Sequence, residues 1–144
     1  MRSQFGHGLD FTPLLRDRLC LFVPAGHPLA TGPVSLQALD GLPMILTGRD
    51  SSVRAQIEQV FRARGLVLQA AMEANYMSTV LALVRNGLGV TLLPESADDG
   101  EGRLVRRQLD EAGLERELGV ITRSECSLSP AALRLVECLK AMRL

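Results

Sequence analysis

The sequence predicts an α/β fold, a mostly parallel sheet flanked by helices. Three observations carry that expectation. The runs "RLCLFVP" (18–24), "LPMILT" (42–47) and "VTLLP" (90–94) are nearly continuous apolar stretches, the composition of strands buried on both faces. Between them lie segments whose apolar residues recur at helical spacing. Strands alternating with helices imply parallel pairing with helices on both faces of the sheet.

Residues 1–13 contain Gly6, Gly8 and Pro13 with little periodicity and read as a lead-in. The first strand, 18–24, is ended by Pro24, and "AGHPLA" turns the chain. "SLQALDG" (35–41) suits a short helix capped by Ser35 and stopped at Gly41. After the strand at 42–47, Val53, Ile57, Val60 and Phe61 fall on one helical face, and Gly65 supplies a C-terminal stop. Ser51 or Asp50 can cap this helix.

"LVLQAAME" (66–73) is a weaker strand. The next helix begins at Asn75 or Ser78, carries a stripe of Met77, Val80, Leu81, Val84 and Leu88, and ends at Gly87 or Gly89. "ESADDGEG" (95–102) is a surface loop by composition. "RLVRRQL" and "RELGVITR" are strands separated by a turn at 110–113. Ser129 and Pro130 form an N-cap and N1 pair for a closing helix that runs to about Met142, with Ala132, Leu135, Val136, Leu139 and Met142 inward.

Composition narrows the function. The 144 residues are 47% apolar and 22% charged, as expected of an ordinary folded domain. Sixteen basic residues balance sixteen acidic ones, which argues against a nucleic-acid footprint on this chain. Three cysteines with no CxxC spacing fit neither a disulfide framework nor a zinc site. The N-terminal "MRSQFGHG" has no apolar core of a secretory signal. No apolar run approaches the roughly 20 residues that a bilayer span needs. The expected location is cytoplasmic, away from membranes.

Catalytic signatures are weak. There is no GxSxG elbow, no Walker sequence, and "NGLGV" closes a helix where a dinucleotide motif would open one. His7 and His27 are the only histidines; an acid/base or metal role would fall to His27, which a local turn role explains better. Cys126 has Arg123 nearby but no resolving partner at useful spacing. Cys20 and Cys138 occupy core-like positions. No cofactor, metal site or catalytic residue is expected.

One stretch does suggest a ligand. In "LTGRDSS" (46–52) a buried strand empties into a polar helix start. Helix N-termini carry partial positive charge, and Arg49 adds a guanidinium fork for a carboxylate or phosphate. Thr47, Ser51 and Ser52 can complete the hydrogen bonds. An ordinary cap with an exposed arginine explains this stretch better when it is taken alone, and Asp50 opposes an anion. A second polar helix start, "YMST" (76–79), follows the neighbouring strand. Open α/β sheets gather ligands outside the carboxyl ends of their strands, which is where both starts fall.

From Leu14 onward the chain resembles the effector-binding domain of LysR-type transcriptional regulators. The carrying segments are "PLLRDRLCLFVPAGHPLA" (13–30), "VSLQALDGLPMI" (34–45), "VLALVRNGLGVTLLPES" (80–96) and "GVITRSECSLSPAALRLVECLKA" (119–141), in the family's order. The resemblance implies a periplasmic-binding-protein-like (type 2) subdomain, with a small effector bound in a cleft between two subdomains. It assigns residues 14–123 to the second subdomain. Residues 124–144 become the crossover and the C-terminal helix of the first, whose remainder would lie outside this chain with the winged helix-turn-helix.

The same resemblance assigns effector contacts to Thr47, Gly48, Arg49, Ser51 and Ser52. Met77, Ser78 and Thr122 follow as further candidates. Arg49 favours an organic acid. The implied partners are that effector, a homo-oligomer and, through absent segments, DNA. Rival readings are a solute-binding protein of the same fold, an enzyme using Cys126 or His27, and a stable subdomain only. In the last, the apolar stripe of the closing helix drives self-association or repacks on the domain.

Overall fold

The computed structural model describes residues 8–142. Strands β1 (Leu9–Pro24), β2 (Pro43–Thr47), β3 (Gln69–Ala74), β4 (Thr91–Pro94), β5 (Leu104–Arg107) and β6 (Glu115–Arg123) alternate in part with helices α1 (Ser52–Ala63) and α2 (Met77–Arg85). Helix α3 (Pro130–Ala141) closes the chain. Two compact units result. One comprises residues 18–116, and the other the described parts of 1–17 and 117–144. The passages between units fall within β1 and β6.

The larger unit is built on the second half of β1. Leu19, Cys20, Leu21, Phe22 and Val23 are fully buried. β1 lies between β4 and β5, antiparallel to both, with Leu21 opposite Leu92 on one side and Arg107 on the other. β2 and β3 pair in parallel, and Met44 makes a parallel bridge to Val90. The α/β class holds, but pairing is mixed where the apolar runs suggested mostly parallel strands. A continuous apolar run reports burial on both faces and is silent on the direction of its neighbours.

Helical spacing placed the core faces of α1 and α2 well. Val53, Ile57, Val60 and Phe61 are buried from α1, and Val80, Leu81 and Val84 from α2. Leu88 leaves the second stripe because α2 stops at Arg85. Gly87 takes φ 79° and the Leu88 N–H donates to the Leu83 carbonyl, turning the side chain out to 53% exposure. The segment after Ser35 forms one 3-10 turn, Leu36–Leu39, without a side-chain cap from Ser35. Asp40 instead accepts from the Val67 N–H at 2.7 Å. In the loop after β4, Arg85 Nη2 donates to both carboxylate oxygens of Asp99, at 2.7 and 2.8 Å. These bonds hold the Asp99 carboxyl below the usual aspartate range.

In the smaller unit β1 begins at Leu9, so residues 9–13 are strand where the sequence suggested a lead-in. Their burial is intermediate and irregular, which left no apolar signature. Pairing with β6 makes the strand. The Ser124 N–H closes the pair by donating to the Gly8 carbonyl at 3.0 Å. Residues 1–7, with His7, lie outside the described residues.

Helix α3 starts as its sequence dictates, with Ser129 Oγ accepting from the Ala132 N–H at 3.3 Å and Pro130 at the first turn. Its inward face is narrower than the spacing suggested. Ala132, Val136 and Leu139 are half-buried, while Leu135 and Met142 are 60% and 54% exposed. Cys138, read from spacing as core-like, is exposed, and Cys126 is exposed as well.

Candidate functional site

Parallel pairing of β2 with β3 sets Thr47 opposite Ala74, so the two strands end side by side. Each then opens into a helix. The α1 start follows through Gly48, Arg49, Asp50 and Ser51, and the α2 start through Asn75 and Tyr76. The two loops touch at Gly48: a Cβ there would lie 3.1 Å from Asn75 Oδ1 and 3.0 Å from Asp50 Oδ1. A side chain at this position would have to displace the Asp50 and Asn75 side chains by a few tenths of an ångström.

Neither start is capped. Ser51 occupies the N-cap position of α1 with extended backbone and makes no side-chain cap bond. Tyr76 occupies that of α2 in the same way, so neither Asn75 nor Ser78 is the cap. Neither first turn holds an acidic residue. Two helix dipoles therefore present amide donors with no side chain closing them. Beside them, Thr47 is 2% exposed and its Oγ1 has no hydrogen-bond partner among the described residues. A buried hydroxyl without a partner is costly, and such an atom at a pair of open helix ends fits a polar ligand.

Arg49 points its charge into solvent, with 83% of its side chain exposed, and meets Glu73 at 3.8 Å. Ser52 and Ser78 are exposed, Ser51 and Met77 half-buried. Thr47, Gly48, Arg49, Ser51, Ser52, Met77 and Ser78 thus all belong to the paired helix starts of the larger unit. Thr122 lies half-buried in β6 of the smaller unit.

Sequence reasoning missed three residues. Arg54, only 5% exposed, donates from Nε to Glu58 at 2.7 Å and from Nη1 to Glu73 at 3.3 Å, with a long 3.5 Å contact to the Thr47 carbonyl. It ties the end of β2, the first turn of α1 and the end of β3 together. Its signal was present: Arg54, Ile57 and Phe61 share the apolar face of α1, and a charged residue on such a face needs partners. Glu73 and Asn75 stand at the end of the neighbouring strand, where open sheets gather ligands, but only strand pairing gives them these contacts.

His27 accepts from the Leu29 N–H through Nδ1 at 3.2 Å, a local turn contact. Among the described residues no three His, Cys, Asp or Glu side chains group as a metal site. Nor is any described helix long and apolar enough to cross a membrane.

The model of the LysR substrate binding domain matches residues 2–143. This chain belongs to that family. The uncharacterized HTH-type transcriptional regulator YbhD of Escherichia coli (strain K12) is 35% identical over 137 residues, 93% of this chain and 43% of YbhD. The chain spans less than half the length of this and other curated relatives.

Two solved structures share its fold. The Synechocystis PCC6803 CcmR regulatory domain in complex with 2-PG has a TM-score of 0.87 at 20% identity, over 97% of this chain and 69% of that one. The effector binding domain of QuiR in complex with shikimate has a TM-score of 0.81 at 18% identity, over 96% and 66%. The fold of this LysR-family chain is accordingly α/β and periplasmic-binding-protein-like (type 2).

Proposed function

We propose that this chain is the effector-sensing part of a LysR-type transcriptional regulator and that it binds a small organic acid at the paired helix starts. The supporting observation is the buried, unpartnered Thr47 Oγ1 beside two uncapped helix ends, with the Arg49 guanidinium exposed at the same loop. Amides of the first turns supply hydrogen bonds and partial positive charge, Thr47 supplies its hydroxyl, and Arg49 supplies a planar fork for a carboxylate. Ser51, Ser52 and Ser78 add hydroxyls, and Met77 adds apolar contact. Two proteins of this fold are complexed with small molecules, 2-PG and shikimate.

The role is binding, with no chemical step. Residues 14–123 are the second effector subdomain, and 124–144 the crossover and last helix of the first. The regulator acts in the cytoplasm as a homo-oligomer, and DNA is contacted outside the residues described. An effector alters such a regulator only through unequal affinity for its two arrangements.

Thermal unfolding with a panel of small organic acids and inorganic phosphate tests the reading. An acid present at 100 times its Kd raises stability by about 2.7 kcal/mol. Arg49→Ala is expected to weaken binding about tenfold or more, consistent with losing a charge-assisted bidentate contact. An acid that stabilises the parent and Arg49→Ala equally would show that the ligand binds elsewhere.

A further inference from the structure

Two guanidinium groups stand at this site, and three carboxylates surround them. Arg54 is committed: it is buried, bonded to Glu58 at 2.7 Å and to Glu73 at 3.3 Å. Its charge is spent on the scaffold and is not offered to a ligand. Arg49 is the guanidinium available, and its ion-pair partner among the described residues is the same Glu73, at 3.8 Å. Asp50 sits in the loop itself, its Oδ1 close to Gly48.

From this geometry we infer that Glu73 is the specificity-determining residue of the site, holding Arg49 when no ligand is bound and biasing selection toward singly charged carboxylates over doubly charged phosphates. The inference rests on the reading of the helix starts as an effector site. Its physical basis is that Glu73 has a second partner, Arg54 Nη1 at 3.3 Å. Buried Arg54 anchors the carboxylate, so Glu73 remains as a fixed negative charge when Arg49 turns to the ligand.

The Arg49–Glu73 contact is long and water-exposed, a class of pair worth roughly 0–1 kcal/mol. A carboxylate that takes the Arg49 fork bidentately outcompetes it easily. The residual charge of Glu73 then repels whatever is bound; for a dianion the attraction to Arg49 and the repulsion from Glu73 both double, so Glu73 lowers the preference for two charges below that of the same site without it. Helix-end amides and Arg49 favour the higher charge; Glu73, beside the Asp50 carboxylate of the loop, offsets that bias.

The test uses the full chain, with inorganic phosphate at pH 8 and acetate as probes, each titrated at low ionic strength and followed by amide chemical shifts. Glu73→Gln is expected to tighten phosphate about fivefold and acetate about twofold, the scale of one exposed charge interaction. A glutamine oxygen can still accept from Arg54, which also keeps Glu58, so the scaffold is retained. Glu73→Ser, which clears the carboxylate altogether, should give the same order.

Glu101→Gln makes the same change in net charge at an exposed loop residue and should move neither constant. Binding that depends on Arg49, yet is unchanged or weakened by both Glu73 variants, would overturn the inference while sparing the site. Equal tightening of both probes would overturn the charge selection. Binding of neither probe, or binding insensitive to Arg49→Ala, would overturn the site and the inference together.

Discussion

Arg54→Leu should lower the unfolding free energy by about 2–3 kcal/mol, the cost of removing one member of a buried ion network. Leucine replaces the stem of the side chain but none of its donors. Glu58 and Glu73, each nearly 40% exposed, recover part of their solvation, which keeps the loss below that of a fully buried pair. The link from α1 to the ends of β2 and β3 is lost. Arg54→Lys keeps the charge but not the planar fork, and should cost about 1–2 kcal/mol. Denaturant midpoints with an unchanged slope measure both. A loss under about 0.5 kcal/mol for leucine, the size of an ordinary surface substitution, would mean that Arg54 is not a structural tie.

Gly119→Ala should cost about 2–3 kcal/mol through overpacking in the smaller unit. A Cβ at Gly119 would overlap the Thr12 carbonyl oxygen and stand 2.7 Å from the Phe11 ring. The ring can turn, but the carbonyl belongs to the paired strand and can move only if β1 and β6 separate. Glycine within a strand marks this kind of close approach. Hydrogen exchange should accelerate at residues 9–12 and 117–123 and leave Leu19–Val23 unchanged, since local pairing opens before the core. Unchanged protection in β6 would show that the strands accommodate the methyl group.

These two positions also mark what the sequence could and could not reveal. Helical spacing identified the buried faces of α1 and α2, because 3.6-residue periodicity is a local property that burial enforces. Ser129 and Pro130 announced α3 for the same local reason. Direction of pairing was hidden, since Leu19–Val23 would read alike between parallel or antiparallel neighbours. The first half of β1 was hidden too, because Leu9–Pro13 are strand through pairing with β6 and carry no apolar alternation of their own.

At the site, "LTGRDSS" and "YMST" were legible as polar helix starts, while the absence of caps was not. Ser51 is an excellent cap by residue type and makes no cap bond. Arg54 left a readable anomaly on an apolar face. Glu73 left only its place at a strand end: its importance comes from pairing with a buried arginine of α1, a tertiary fact. Spacing likewise misplaced Cys138, Leu135 and Met142, since α3 buries only a narrow face within its own unit.

The central claim is that the ligand sits at the two helix starts, and amide chemical-shift mapping with a bound organic acid tests it most directly. The account predicts that the largest changes fall at residues 48–53 and 76–79, with Thr47 following and Arg49→Ala suppressing them. Largest changes in the crevice lined by Arg18, Leu109 and Glu115, or along α1 at Phe61 and Arg62, with residues 48–53 silent, would contradict it.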